Sequence, residues 1–96
     1  MLVVVGYDVS TECAAGRRRL KRVAKACVGY GLRVQYSLFE CELDPAQWVE
    51  LRTRLLTIIV PSEDSLRFYF LGANWQRRIE QHGRRKAPDH RGLLEV

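Results

Sequence analysis

The chain has 96 residues, 47% of them apolar and 28% charged, with a formal net charge of +5 and a pI near 9.5. That length is one small domain, because two halves would each be too short to bury a core without disulfides or metals. The composition excludes a disordered chain, and no apolar run reaches the roughly 20 residues of a membrane span.

Residues 2–8 (Leu-Val-Val-Val-Gly-Tyr-Asp) are a nearly continuous β-branched run and predict a central strand covered on both faces. Residues 9–15 predict a loop. Residues 16–28 predict a helix, with Leu20, Val23, Ala24, Cys27 and Val28 recurring at three and four along one apolar face. Arg18, Arg19, Arg22 and Lys25 fall on its other faces, and Gly29 and Gly31 supply the stop. Residues 32–43 are strand-like but change phase. Val34, Tyr36 and Leu38 alternate in one register, and Phe39, Cys41 and Leu43 in the other. One strand cannot switch faces without a bulge or reversal, so two short strands are expected to meet near Ser37.

Asp44-Pro45 is a strong helix start, with Asp as N-cap and Pro at the first helical position. Trp48, Leu51, Leu55 and Ile58 give that helix its apolar stripe, and Pro61 ends it. Residues 65–71 predict a strand with Leu66, Phe68 and Phe70 on one face. Gly72 to Asn74 break it, and residues 75–80 predict a further strand. The order β-α-β-β-α-β, plus an extra strand, predicts an α+β domain of ferredoxin-like type, an antiparallel sheet with two helices on one face. The domain spans residues 1–81. Residues 82–96 form a polar arm and an apolar end, Leu93-Leu94-Glu95-Val96, expected to add as an edge strand to a partner's sheet. A domain this small buries only about two-thirds of its unfolded surface, so dimerisation helps it.

The three cysteines, Cys13, Cys27 and Cys41, are odd in number and widely spaced, which argues against a zinc site or a disulfide framework. They read as small hydrophobes or idle thiols. The first residues have no basic lead-in and meet an acid early, so the expected address is the cytoplasm. Of the 16 basic residues, 13 are Arg. Residues 16–36 hold seven bases and no acid. Residues 37–66 hold six acids against Arg52 and Arg54, and residues 74–96 hold six bases, Arg77 and Arg78 among them, against three acids. This pattern fits a polyanion partner met by two segments, and equally a solvated helix face with a soluble tail.

The sequence contains no Gly-rich phosphate loop, no HExxH and no nucleophile elbow. His82 and His90 fall in the arm and read as exposed side chains. Asp8 closes an apolar strand at the rim of the sheet. There it either holds a cation such as Mg²⁺ through oxygen or caps the loop that follows.

Several motifs stand in a recognisable order: Tyr7-Asp8-Val9, Arg22-Val-Ala-Lys25, the block Tyr30-Gly-Leu-Arg33-Val-Gln35-Tyr-Ser37-Leu-Phe39-Glu40, and Asp64-Ser-Leu-Arg67-Phe-Tyr69. Over residues 1 to about 80 the chain resembles the small CRISPR-associated Cas-two family, and its first loop and its end look most like type I-C versions. The resemblance implies a ferredoxin-like homodimer in which Asp8 faces its mate across the two-fold, the pair holding Mg²⁺ or another divalent cation such as Mn²⁺. It implies a metal-dependent endonuclease acting on RNA or duplex DNA in spacer acquisition. The alternative is a non-catalytic DNA scaffold bridging integrase subunits. Asp8 is then the catalytic and metal-binding residue. Arg18, Arg19, Arg22, Arg33, Arg77 and Arg78 hold the nucleic acid, and Tyr7, Ser37 and Phe39 support the site. Where some relatives have Arg two places before Arg22 this chain has Leu20, with Arg18 or Arg19 as the substitute. A single-strand binder of the RNA-recognition type would need stacking aromatics at fixed places, and residues 64–71 do not match them.

Overall fold

A computed structural model describes residues 1–83. The elements are β1 (Leu2–Asp8), α1 (Ala14–Val28), β2 (Leu32–Gln35), β3 (Leu38–Glu42), α2 (Pro45–Ile58) and β4 (Ser65–Gly72), followed by one 3₁₀ turn over Trp75–Arg77. The strands form one antiparallel sheet in the order β2-β3-β1-β4, so the β-branched run of β1 lies between two neighbours. The arm and the strand expected at its end lie almost wholly outside the described residues.

Alternation along the strands divides the sheet into two faces. Val3, Val5 and Tyr7 of β1 and Phe39 and Cys41 of β3 are buried in one cluster with Val23, Ala26 and Cys27 of α1 and Leu51, Leu55 and Ile58 of α2. Both helices therefore cover this face. The other face carries Val4, Gly6, Asp8, Leu38, Glu40, Arg67 and Tyr69, and Val4 there is only half-buried. The expectation that β1 is covered on both faces does not hold within one chain.

The phase change near Ser37 is a reversal. Gln35 pairs with Leu38 around a tight turn, and the register shifts between Arg33 and Gln35. Asp44 caps α2 as its sequence predicts: its carboxylate accepts the Gln47 N–H at 2.8 Å, and its own N–H donates to the Gln47 side chain at 3.0 Å. Trp48 meets Phe68 and Phe70 edge-on, with ring centroids 4.8 and 5.0 Å apart.

Two boundaries differ from expectation. α1 begins at Ala14, two residues early, because the Cys13 carbonyl already accepts the Arg17 N–H at 3.1 Å. Gly16 thus lies inside the helix, where a Cβ would stand 1.9 Å from the Ser10 carbonyl oxygen, so the helix can pack this close to the loop only with glycine. Residues 75–80 are not a strand. The Arg77 and Arg78 N–H groups bond back to Asn74 and Trp75, and Trp75 is buried. These donors are satisfied locally and need no neighbouring strand.

Candidate active site and nucleic-acid interface

Asp8 is the last residue of β1, opposite Ser65 of β4, on the face without helices. It is exposed, and its carboxylate makes no hydrogen bond or ion pair with another described residue. Its position therefore carries none of the desolvation cost expected for a carboxylate ending a buried strand. The loop after β1 is capped by a different acid: the Ser10 N–H donates to Asp64 Oδ1 at 3.2 Å. Arg67 and Tyr69 share the Asp8 face, and Arg67 donates to the Tyr69 hydroxyl at 2.9 Å. Arg67 lies opposite Gly6, two residues from Asp8. The odd positions of β4 were the available sequence signal for these two residues, since Leu66, Phe68 and Phe70 occupy the helix side.

Tyr7 and Phe39 do not shape the surroundings of Asp8. Both project toward the helices, their rings stacked with centroids 6.2 Å apart, and both are core residues. Burial raises the Tyr7 hydroxyl above its ordinary pKa, and the neighbouring Arg33 pulls the other way. Arg33 is level with Phe39 in the β2–β3 pairing and lies over the Phe39 and Tyr36 rings, at 5.0 and 5.8 Å. It is thus across the sheet from Asp8. Ser37 contributes through its backbone, its carbonyl accepting the Tyr7 N–H at 3.2 Å.

The arginines separate into two groups. Arg18 and Arg22 are exposed on α1, and Arg77 and Arg78 are exposed around the 3₁₀ turn, as an interface with phosphates requires. Arg19 is not available for that role. Its guanidinium forks onto Asp64, with Nε–Oδ2 at 2.8 Å and a terminal nitrogen 3.2 Å from Oδ1. It also lies 3.7 Å from Glu63. Asp64, fully buried at its side chain, further accepts the Val60 N–H at 2.8 Å. Arg19 above all, and the two backbone donors with it, hold this carboxyl below its ordinary pKa. The His82 ring pairs with Glu80 in an exposed position, and His90 lies outside the described residues.

For a cation, the open sheet face offers the exposed Asp8 carboxylate at the end of β1. No cluster of three or more His, Cys, Asp or Glu side chains occurs among the described residues. Mg²⁺ keeps several waters and is commonly held by one or two carboxylates plus phosphate oxygens. Asp8 fits that donor set when a second copy or a nucleic-acid phosphate completes it.

The fold and these side chains define a small ferredoxin-like domain with an exposed carboxylate at a strand end and a basic helix. The family model for CRISPR associated protein Cas2 matches residues 1–79. The CRISPR-associated endoribonuclease Cas2 of Chlorobaculum tepidum is 61% identical over 94 residues, covering 98% of each chain. The CRISPR-associated endonuclease Cas2 of Halalkalibacterium halodurans is 45% identical over 89 residues, covering 93% of each. The crystal structure of Streptococcus pyogenes Cas2 at pH 6.5 superposes with a TM-score of 0.76 at 58% identity, covering 86% of this chain and 100% of that one. The chain belongs to the Cas2 family. Among the described residues, no helix is long and apolar enough to cross a membrane.

Proposed function

We propose that this protein is an endonuclease of CRISPR adaptation, hydrolysing phosphodiester bonds of RNA or duplex DNA in the cytoplasm as a homodimer. The observation that carries the reading is Asp8, an exposed carboxylate without a partner among the described residues, at a strand end on the sheet face the helices leave open. The names of the relatives support the reaction class. Pairing of the open faces of two chains would bring two Asp8 carboxylates near one axis, where like charges repel until a proton or cation lies between them. Asp8 and its symmetry mate would hold Mg²⁺ or Mn²⁺. When bound, such a cation activates water and offsets charge at the phosphate. Arg18 and Arg22 neutralise and position the backbone. The resemblance of the first loop and of the chain end supports a type I-C subtype.

A second reading, a non-catalytic scaffold that holds DNA between integrase subunits, is favoured by one observation. α1 covers the sheet face opposite Asp8, so its basic side chains and the carboxylate lie on different sides of the sheet. A nuclease assay separates the two. Wild type and Asp8→Asn are compared on RNA and on duplex DNA, with Mg²⁺ and with chelator. Cleavage that needs both the cation and Asp8 supports the enzyme. Duplex binding without Asp8-dependent cleavage supports the scaffold.

A further inference from the structure

The phosphate contacts expected from the sequence lie on α1 and at Arg33, Arg77 and Arg78, and α2 shows there only as an apolar stripe. The structure shows a groove between the two helices on their outer side. Arg22, Lys25 and Tyr30 line it from α1 and the turn after it, and Val49, Glu50, Thr53, Arg54 and Thr57 line it from α2. The three cations are exposed. Arg54 is set against the Tyr30 ring, its guanidinium carbon 5.9 Å from the centroid, which restrains a long side chain that would otherwise sweep through solvent. Glu50, the one acid in the lining, accepts the Tyr30 hydroxyl at 3.0 Å. The groove keeps a surplus of positive charge after that acid is counted.

The side-chain types point to the ligand. Phosphate oxygens in nucleic acids are contacted mainly by Arg and Lys, with Ser, Thr and Tyr hydroxyls beside them. Arg22, Lys25, Arg54, Thr53 and Tyr30 are that inventory gathered in one groove. Arg18, Arg22 and Lys25 follow one another at i, i+4 and i+7 on α1, so they form a single stripe about 10 Å long at 1.5 Å per residue. The stripe begins at an exposed arginine near the start of α1 and runs into the groove.

We propose that the α1–α2 groove is a phosphate-binding site for the backbone of duplex nucleic acid, with Arg54 and Lys25 as contacts additional to Arg18 and Arg22. The inference rests on the nucleic-acid reading above and deepens it. It gives the backbone a path on the helix side of each protomer, away from Asp8.

Salt dependence tests it, because each phosphate neutralised by a cation contributes a slope of about −0.9 to log affinity against log salt. A duplex of about 30 base pairs is titrated with wild type, with the double variant Lys25→Gln and Arg54→Gln, and with Arg52→Gln, an exposed α2 arginine outside the groove. The double variant is expected to flatten the slope by about 1.8 for each protomer engaged. The affinity lost between 50 and 200 mM salt then shrinks by a factor of about 12 per protomer. Arg54→Lys with Lys25 intact is expected to keep the wild-type slope, since the charge is kept. If the double variant retains the wild-type slope, or changes it no more than Arg52→Gln does, the groove site is wrong while the nucleic-acid reading stands. If wild type shows no salt-dependent duplex binding at all, the reading itself fails and takes the groove with it.

Discussion

Arg19 and Asp64, 45 residues apart, meet in a two-point fork with Nε–Oδ2 at 2.8 Å and a second contact at 3.2 Å. Asp64 also takes the N–H groups of Ser10 and Val60, so one carboxylate ties the loop after β1, the first turns of α1 and the turn before β4 together. This junction holds in place the loop that follows Asp8. Replacing Asp64 by Ala leaves two backbone donors and a guanidinium without their acceptor. The expected loss is about 3 kcal/mol, a fall in Tm of more than about 10 °C.

The same carboxylate sets an acid limit. Its pKa in the folded chain lies below the ordinary value of 3.8, chiefly because of Arg19. A depressed carboxylate stabilises the fold fully above its unfolded pKa, and that contribution is lost as pH falls through the folded value. Stability should therefore decline from about pH 4 downward. Asp64→Asn should be less stable at pH 7 and show a flatter acid limb, measured as Tm against pH. A parallel acid limb in both proteins would remove Asp64 as the cause.

Arg18 and Arg19 are adjacent in sequence and differ in what they do. Arg18→Gln is expected to flatten the salt dependence of duplex binding by about 0.9 for each protomer engaged and to leave Tm nearly unchanged. Arg19→Gln is expected to lower Tm and leave the slope as it was. The reverse pattern would return Arg19 to the interface.

Much of this molecule is legible in its sequence where the signal is local. Asp44-Pro45 marks the start of α2 because cap and first helical residue are neighbours. The face switch across Ser37 shows in the alternation itself. The role of Arg19 was not legible, because its partner lies 45 residues on and an arginine in a basic run looks like its neighbours. Trp75 failed as a strand residue because a buried indole can be housed by one 3₁₀ turn as well as by alternation. Tyr7 is a different case. It precedes Asp8 in one strand, so the two must point to opposite faces, and that geometry alone separates Tyr7 from the Asp8 side.

The thiols give a simple chemical check. Cys13 is exposed, whereas burial pushes both Cys27 and Cys41 up to about 12. At pH 8 an aromatic disulfide reagent should titrate about one thiol per chain in the native protein and three after unfolding, because the thiolate is the reacting form. The two buried thiols favour the fold fully below their unfolded pKa of 9.0, and this is lost as pH rises toward about 12. Alkaline unfolding should therefore start above about pH 9 and coincide with release of the second and third thiols. Early reaction of all three at pH 8 would mean that the helix-covered core opens readily.

Asp8 carries the sharpest expectation. Its side chain is exposed and bonds to no other described residue, so Asp8→Asn removes a charge without removing a contact. Surface changes of this kind shift stability by less than about 0.5 kcal/mol. The variant should keep its Tm within about 4 °C, since 1 kcal/mol corresponds to roughly 4–8 °C in a domain of this size. Cleavage should fall by at least about a hundredfold in the presence of Mg²⁺, because the amide is neutral and a poorer ligand for a hard cation. If two Asp8 side chains meet at the dimer axis, the metal-free variant dimer should be at least as tight as wild type, since the repulsion between the carboxylates is gone. Sedimentation at low protein concentration measures this. A variant that unfolds would show Asp8 to be structural, against its exposure and its lack of partners among the described residues. A variant that cleaves as fast as wild type would remove Asp8 from the reaction and leave the DNA scaffold as the reading the protein supports.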